Sequence, residues 1–326
     1  MHAKEGHPAL STNRFVRLNA SLTCSIDPMR IPLLLLLFLP LALAAQMVQV
    51  LPGTDDPAEL RFNPAFIARN RIASVSGERS VKRDNKPMQP QSERHHYRFD
   101  EDGRTIYANH SYGMPGSGRD TTSTSVTFGT DGRERERLRN DLSGHFLLSI
   151  ERDVEGRPVR QTYSRVANLN SDRYQLQPGI VTAISDEHYR HEQVNDSTAR
   201  QLFLNELGLA YREQLRFTDA RGYLRRIEDR YLVSNRSSRI TFAYDENGRL
   251  AERVEQPDIA SNRTMRRTWT YDRAGNVLSG QLWHDGVQVQ QEEYLYEETT
   301  MFLKARLTRD LQSGIIHVVR YTTAYR

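Results

Sequence analysis

The feature that most restricts how this chain can fold is a turn pattern that returns along it: an aromatic-rich run followed by Asp-x-x-Gly. Two copies are nearly alike. Ile240-Thr241-Phe242 leads to Tyr244-Asp245-Glu246-Asn247-Gly248-Arg249-Leu250, and Thr268-Trp269-Thr270 leads to Tyr271-Asp272-Arg273-Ala274-Gly275-Asn276-Val277. Alternating apolar residues on both sides of such a turn specify a β-hairpin. Asp at the first turn position accepts hydrogen bonds from nearby backbone N–H groups, and Gly three residues later takes the left-handed conformation that a Cβ would penalise. This is the three-residue hairpin loop with a G1 bulge.

Weaker copies extend back along the chain. Asp100 with Gly103 follows Tyr97-Arg98-Phe99, Asp153 with Gly156 follows a run containing Ile150, and Asp219 with Gly222 follows Leu215-Arg216-Phe217. Phe128-Gly129-Thr130-Asp131-Gly132-Arg133 keeps Gly132 and the Arg but displaces the Asp, and Asn205-Glu206-Leu207-Gly208 reads as a degenerate copy. Glycines of neighbouring clear copies stand 24 to 29 residues apart, the length of two strands and two turns. The expected fold is all-β: an array of antiparallel β-hairpins forming an extended, twisted sheet that can wrap.

The segments Tyr-Asp-x-x-Gly-Arg-Leu and Tyr-Asp-x-x-Gly-Asn-Val resemble the YD repeat of bacterial RHS-type proteins. The resemblance is strong over residues 239–283 and fades back to about residue 93. It implies a small exported protein made of β-hairpin repeats. With only a handful of copies and no separate toxin-like segment at the C-terminus, it does not imply that family's cage or cargo.

Residues 31–45 form an apolar run preceded by Met29-Arg30, with small residues at Ala42 and Ala44. That pattern specifies a signal peptide starting at Met29 and cleaved after Ala44 or Ala45. It is too short and proline-broken for an ordinary membrane helix, so no transmembrane span is expected in the mature chain. The only cysteine, Cys24, leaves with the leader, so neither disulfides nor a thiolate zinc site are expected. Cleavage lowers the formal charge from +4 to +2. Charges of both signs are interleaved, as in Arg133-Glu134-Arg135-Glu136-Arg137, where a phosphate-binding track needs uncompensated cations. Nucleic acid is therefore not an expected partner.

The expected organisation is a leader over 1–45, a lead-in region over 46–92, and a hairpin domain over 93–326. The lead-in holds a first strand near Asn70–Val75 and a polar linker over Lys82–Ser92. Gly113–Gly118 reads as a flexible loop. The last strand, Ile315–Tyr321, is apolar on both faces and would need covering.

Chemical motifs are absent. No phosphate-binding loop, Gly-x-Ser-x-Gly elbow or His-Glu-x-x-His occurs. His188 and His191 fall on opposite faces of a strand, and adjacent His95 and His96 also diverge. The best-ordered carboxylates, Asp100, Asp153, Asp219, Asp245 and Asp272, serve turns, which removes them as a glycosidase pair.

No catalytic residue, cofactor or metal is therefore expected. The function expected is a non-enzymatic binding or structural scaffold, periplasmic or secreted, with carbohydrate or another envelope protein as partner. Three alternatives stand beside it. An outer-membrane β-barrel would share the signal peptide, the strand lengths and a near-terminal aromatic, Tyr325. Paired charges such as Arg225-Arg226 and Arg266-Arg267 weigh against it by placing charge on both strand faces. The other two are a component of an RHS-type toxin system and an unrecognised hydrolase.

Overall fold

A computed structural model describes residues 46–54, 56–112, 121–141, 143–172 and 175–326. The leader, with Met29, Ala44 and Ala45, and the glycine loop at 113–118 lie outside them. The described chain holds one short helix, α1 (Pro64–Arg69), and eighteen strands. The first nine are β1 (Ile72–Lys82), β2 (Gln89–Phe99), β3 (Thr105–Tyr112), β4 (Thr121–Phe128), β5 (Glu134–Asp141), β6 (Gly144–Arg152), β7 (Pro158–Asn168), β8 (Pro178–Asn195) and β9 (Thr198–Leu204). The rest are β10 (Ala210–Thr218), β11 (Leu224–Tyr231), β12 (Ser237–Tyr244), β13 (Leu250–Gln256), β14 (Met265–Tyr271), β15 (Val277–His284), β16 (Val287–Tyr296), β17 (Leu303–Asp310) and β18 (Ile316–Tyr325).

Every strand pairs antiparallel with its successor, and β1 pairs with β18 from Ile72↔Tyr325 to Lys82↔Ile316. The all-β antiparallel expectation stands, while the extended sheet is corrected to a closed 18-strand β-barrel. Right-handed twist and a register that staggers from strand to strand turn a long meander back on itself, and closure pairs the terminal edges. A closed wall is the architecture of the outer-membrane β-barrel alternative and backs it better than the open scaffold. The apolar last strand is the closing strand, and the polar stretch expected as a linker is the turn between β1 and β2 together with the start of β2.

In an up-and-down meander successive turns fall at alternate mouths. The turns at Asp100, Gly129, Asp153, Asp219, Asp245 and Asp272 each follow an even-numbered strand, so all six ring one mouth. The turn at Asn205 follows β9 and has the same hydrogen-bond pattern, but it lies at the other mouth. It is therefore not a member of the same row.

Alternation along each strand separates two faces. Inward residues include Val75, Tyr97, Phe99, Ile227, Phe242 and Trp269, all buried. Their neighbours Ser74, Ser76, Glu78, Arg98, Arg226, Glu228 and Arg266 turn outward. The outer face carries ion pairs, Arg239 with Glu228 at 2.9 Å and Arg160 with Asp186 at 2.7 Å. It also carries guanidinium groups over rings, Arg226 over Phe217 at 4.0 Å and Arg266 over Trp283 at 4.5 Å.

Residues 46–54 and 56–71 enter the ringed mouth and plug it. Met47 and Ile67 are 0% exposed, and Phe62 and Phe66 almost as deeply buried, in one core with Phe99, Leu250, Val277 and Leu303. Asn63 caps α1 by accepting a hydrogen bond from the Ala65 N–H, and Pro64 takes a first-turn position where its missing N–H costs nothing. The Phe62 ring meets Tyr97 and Phe99 edge-on, with centroids 5.0 and 5.1 Å away.

Candidate functional site: a lumen cavity beneath the plug

Below the plug the lumen keeps a cavity of about 620 Å³. Asp56, Ala58, Glu59 and Leu60 of the plug form one side. The wall contributes Arg79 from β1, Glu93, His95 and Tyr97 from β2, His110 from β3, Arg306 and Thr308 from β17, and His317 and Tyr321 from β18. These residues meet because β1, β2, β17 and β18 are neighbours at the seam where the barrel closes, and each lies on its strand's inward file. A second cavity, of about 530 Å³, shares Glu59, Leu60 and Tyr97 and runs along β3, β4 and β5.

The seam cluster is tightly connected. Arg79 pairs with Glu93 and donates to His317 Nδ1 at 2.6 Å. His95 Nε2 lies 3.4 Å from Glu93 Oε1, and its ring meets His110 edge-on at 4.5 Å. The Tyr97 hydroxyl is 3.4 Å from His110 Nε2. Arg306 donates to Glu292 at 2.7 Å and to the plug carbonyl of Ala58 at 3.4 Å, while Tyr294 donates to the other Glu292 oxygen at 2.8 Å.

Burial sets the protonation of these groups. It pushes His110 down to about 4, assisted by nearby His95 and Arg306 against the opposing pull of Glu93. His317 is lowered by burial and then by Arg79. Glu93 is also lowered, because hydrogen bonds and charge from His95 and Arg79 outweigh the burial that would raise it. Burial pushes Tyr321 up to about 12. At neutral pH the imidazoles of His110 and His317 and the Tyr321 phenol are thus uncharged, beside arginines that already have carboxylate partners. His95 Nδ1 is buried and makes no hydrogen bond among the described residues. Among those residues no group of three or more His, Cys, Asp or Glu side chains is arranged to hold a metal ion.

The turn residues singled out from sequence lie away from this cavity, around the plugged mouth. Gly103, Gly132, Gly156, Gly222, Gly248 and Gly275 all have φ between +74° and +91°. Asp245 Oδ1 accepts from the Arg249 N–H at 2.9 Å, and Oδ2 from Arg249 Nε at 2.7 Å. Asp100 and Asp153 hold Arg104 and Arg157 in the same way, and Asp272 holds Asn276. Asp219 instead pairs with Arg225. Tyr244 and Tyr271 donate to the carbonyls of Leu224 and Leu250, at 2.8 and 2.6 Å, linking each hairpin to the one before it.

His188 lies 3.7 Å from Asp186 on the outer face, whereas His191 Nε2 is 2.7 Å from the Pro158 carbonyl. His96 also turns outward and bonds Ser76 at 2.9 Å. The sequence separates His95, His110 and His317 by 15 and 207 positions, and no motif announces their meeting. The one available signal was the inward parity of His95 with Tyr97 and of His317 with Tyr321.

Neither a family model nor a curated protein sequence matches the chain. With no family match and a closed barrel in place of an open array, the resemblance to RHS-type YD-repeat proteins is withdrawn, and with it the link to a toxin system. Among solved structures, the chain is similar to a porin-like protein from Bacteroides uniformis, at 11% identity and TM-score 0.33, over 78% of this chain and 97% of that one. A porin-like protein from Bacteroides vulgatus gives 9% identity and TM-score 0.32, over 78% and 98%. A LolA superfamily protein from Nitrosomonas europaea gives 12% identity and TM-score 0.16, over 79% and 87%. No residue role passes from these proteins to this chain.

Proposed function

We propose that this chain is a non-enzymatic β-barrel of the cell envelope that holds a small polar ligand in a blind lumen. The observation that carries the proposal is the plug: Met47, Phe62, Phe66 and Ile67 fill one mouth, while about 620 Å³ stays open beneath them. A sealed mouth suits retention rather than conduction. The imidazoles of His110 and His317, both lowered by burial, the tyrosine hydroxyls, Thr308 and Gln290 offer both donors and acceptors. That chemistry fits an uncharged, hydroxyl-rich ligand, and carbohydrate is the class we assign. A glycan array on the intact protein, followed by calorimetry on any hit, tests this assignment. Binding that is lost in His95→Ala and Thr308→Ala supports the lumen, and binding untouched by both removes it.

The outer wall of this reading faces water. A lipid-facing wall needs a continuous apolar band, whereas the outward file here carries Ser74, Ser76, Glu78, Arg98, Glu228 and Arg266. A second reading, the outer-membrane barrel, is favoured by closure itself, since only a closed sheet satisfies its backbone in lipid. Fractionation separates the two. Release with the soluble periplasmic contents supports the first, and outer-membrane retention through a carbonate wash, with heat-modifiable migration in detergent, supports the second.

A further inference from the structure

The wall is closed, but its strands are staggered. β8 is eighteen residues long. It pairs with β7 over Pro178–His188, but with β9 only over His188–Asn195. The side of Pro178–Glu187 facing away from β7 therefore has no strand partner among the described residues. Six consecutive residues there, Ile180 to Ser185, are exposed, Ile180 at 77%. They are uncharged, largely β-branched and free of proline. Proteins ordinarily blunt such an edge with Lys, Pro or a bulge. Here Pro178 and a slip in the β7–β8 register between Val166 and Asn168 blunt only the start of the strand, and from Val181 on the ladder is interrupted by a slip at Ile184, between Tyr163 and Ser164.

A cleft of about 370 Å³ adjoins this edge, with Ile184–Glu187 on one side and Asn205–Leu207 with Tyr211 on the other. Leu207 at its rim is 82% exposed. Three carboxylates line the cleft, Asp186, Glu187 and Glu206, and no basic side chain does. Asp186 is answered by Arg160. Glu187 accepts from the hydroxyls of Tyr189 and Tyr211, and among the described residues no cation pairs with it or with Glu206.

We propose that Val181–Glu187 is a strand-addition site for an extended segment of a partner polypeptide, one with alternating aliphatic side chains and a Lys or Arg over Glu187 and Glu206. Unpaired N–H and C=O groups supply the ladder, and the cleft and its charge supply selectivity. A second copy of this chain fits less well, because its own Pro178–Glu187 stretch brings two carboxylates and no cation.

The test uses the full chain and a fluorescein-labelled peptide, Lys-Thr-Val-Thr-Val-Thr-Val, read by polarisation. Saturable binding is expected, weakened on the order of a hundredfold when three alternate peptide amides are N-methylated, because each lost ladder bond is worth a factor of about five. Glu206→Lys, a substitution at an exposed turn, should weaken it roughly fivefold, as for a surface ion pair. Amide exchange of Val181–Glu187 should slow in the complex. No saturable binding, or equal affinity for the N-methylated peptide, overturns the proposal. So does a concentration-dependent dimer that Val181→Lys dissolves and the peptide does not displace. None of these readouts depends on the lumen cavity.

Discussion

Asp245 shows how one residue sets the geometry of a turn. One oxygen holds the backbone N–H of Arg249 and the other its guanidinium, which then lies 4.5 Å over the Tyr271 ring of the next hairpin. Arg104 over Phe128 and Arg225 over Tyr244 repeat that latch along the mouth. Burial alone would raise the Asp245 pKa, but the Arg249 hydrogen bonds overcome it and hold the group low. Asp153 sits at about 2, lowered mainly by Arg157. A carboxylate whose folded pKa lies below its unfolded value stabilises the fold above about pH 4 and loses that contribution as pH falls through the folded pKa. The urea midpoint should therefore drop between about pH 4 and pH 2. Asp245→Asn should start lower and drop less over that window, and parallel profiles would contradict the latch.

The turn glycines also differ among themselves. A Cβ on Gly222 meets nothing within 4 Å, while one on Gly103 lies 2.0 Å from the Pro64 carbonyl oxygen of the plug. Gly222→Ala should cost about 1–2 kcal/mol from left-handed strain alone, and Gly103→Ala roughly 2–4 kcal/mol, since backbone must also move. At Gly248 the obstacle is the Tyr223 hydroxyl at 2.1 Å, a movable side chain, so Gly248→Val should fall between them at roughly 1–3 kcal/mol. Equal denaturation midpoints for Gly103→Ala and Gly222→Ala would show that the plug does not bear on the turn. The positive φ at these glycines was legible in the sequence, because Asp-x-x-Gly is a local rule. Which glycine abuts the plug was not, since that depends on residues 39 positions earlier.

Among elements, the plug is the one that local patterns concealed. Residues 46–71 lack both the two-residue and the 3.6-residue period, and Met47, Phe62 and Phe66 look like scattered apolar residues until the barrel surrounds them. Phe66 is 1% exposed and meets Phe302 edge-on at 5.7 Å. Phe66→Ala should destabilise the barrel by about 3–5 kcal/mol, read by chemical denaturation followed through Trp269 fluorescence. A loss below about 1 kcal/mol, typical of a surface site, would mean that the segment is not packed as described. The hairpins were legible for the opposite reason: each is specified within about 25 residues by its own turn and alternation.

At the scale of the whole molecule the decisive contact is the seam. Ser76 and Thr322 face each other across β1 and β18 on the outer face, and the only native cysteine, Cys24, precedes the barrel. Ser76→Cys with Thr322→Cys should oxidise to an intramolecular disulfide and raise the denaturation midpoint by about 2–4 kcal/mol equivalent, since it closes a loop of most of the chain. Failure to cross-link under oxidising conditions would argue for an open sheet. Closure escaped the sequence because it is a sum: each pair of strands contributes a small twist and stagger that no single motif records, and only the total joins residue 72 to residue 325. The seam cavity was hidden with it, since Arg79, His95 and His317 become neighbours only when the ring is complete.

The ring of Asp-x-x-Gly turns at one mouth also bears on how such a barrel can change size. A gene segment encoding one hairpin adds two strands, so every later turn keeps its mouth and every later side chain keeps its face. A segment encoding a single strand would exchange the mouths and leave β1 and β18 running parallel at the seam. Growth and loss by whole hairpins is thus the only route that leaves plug, ring and seam working together.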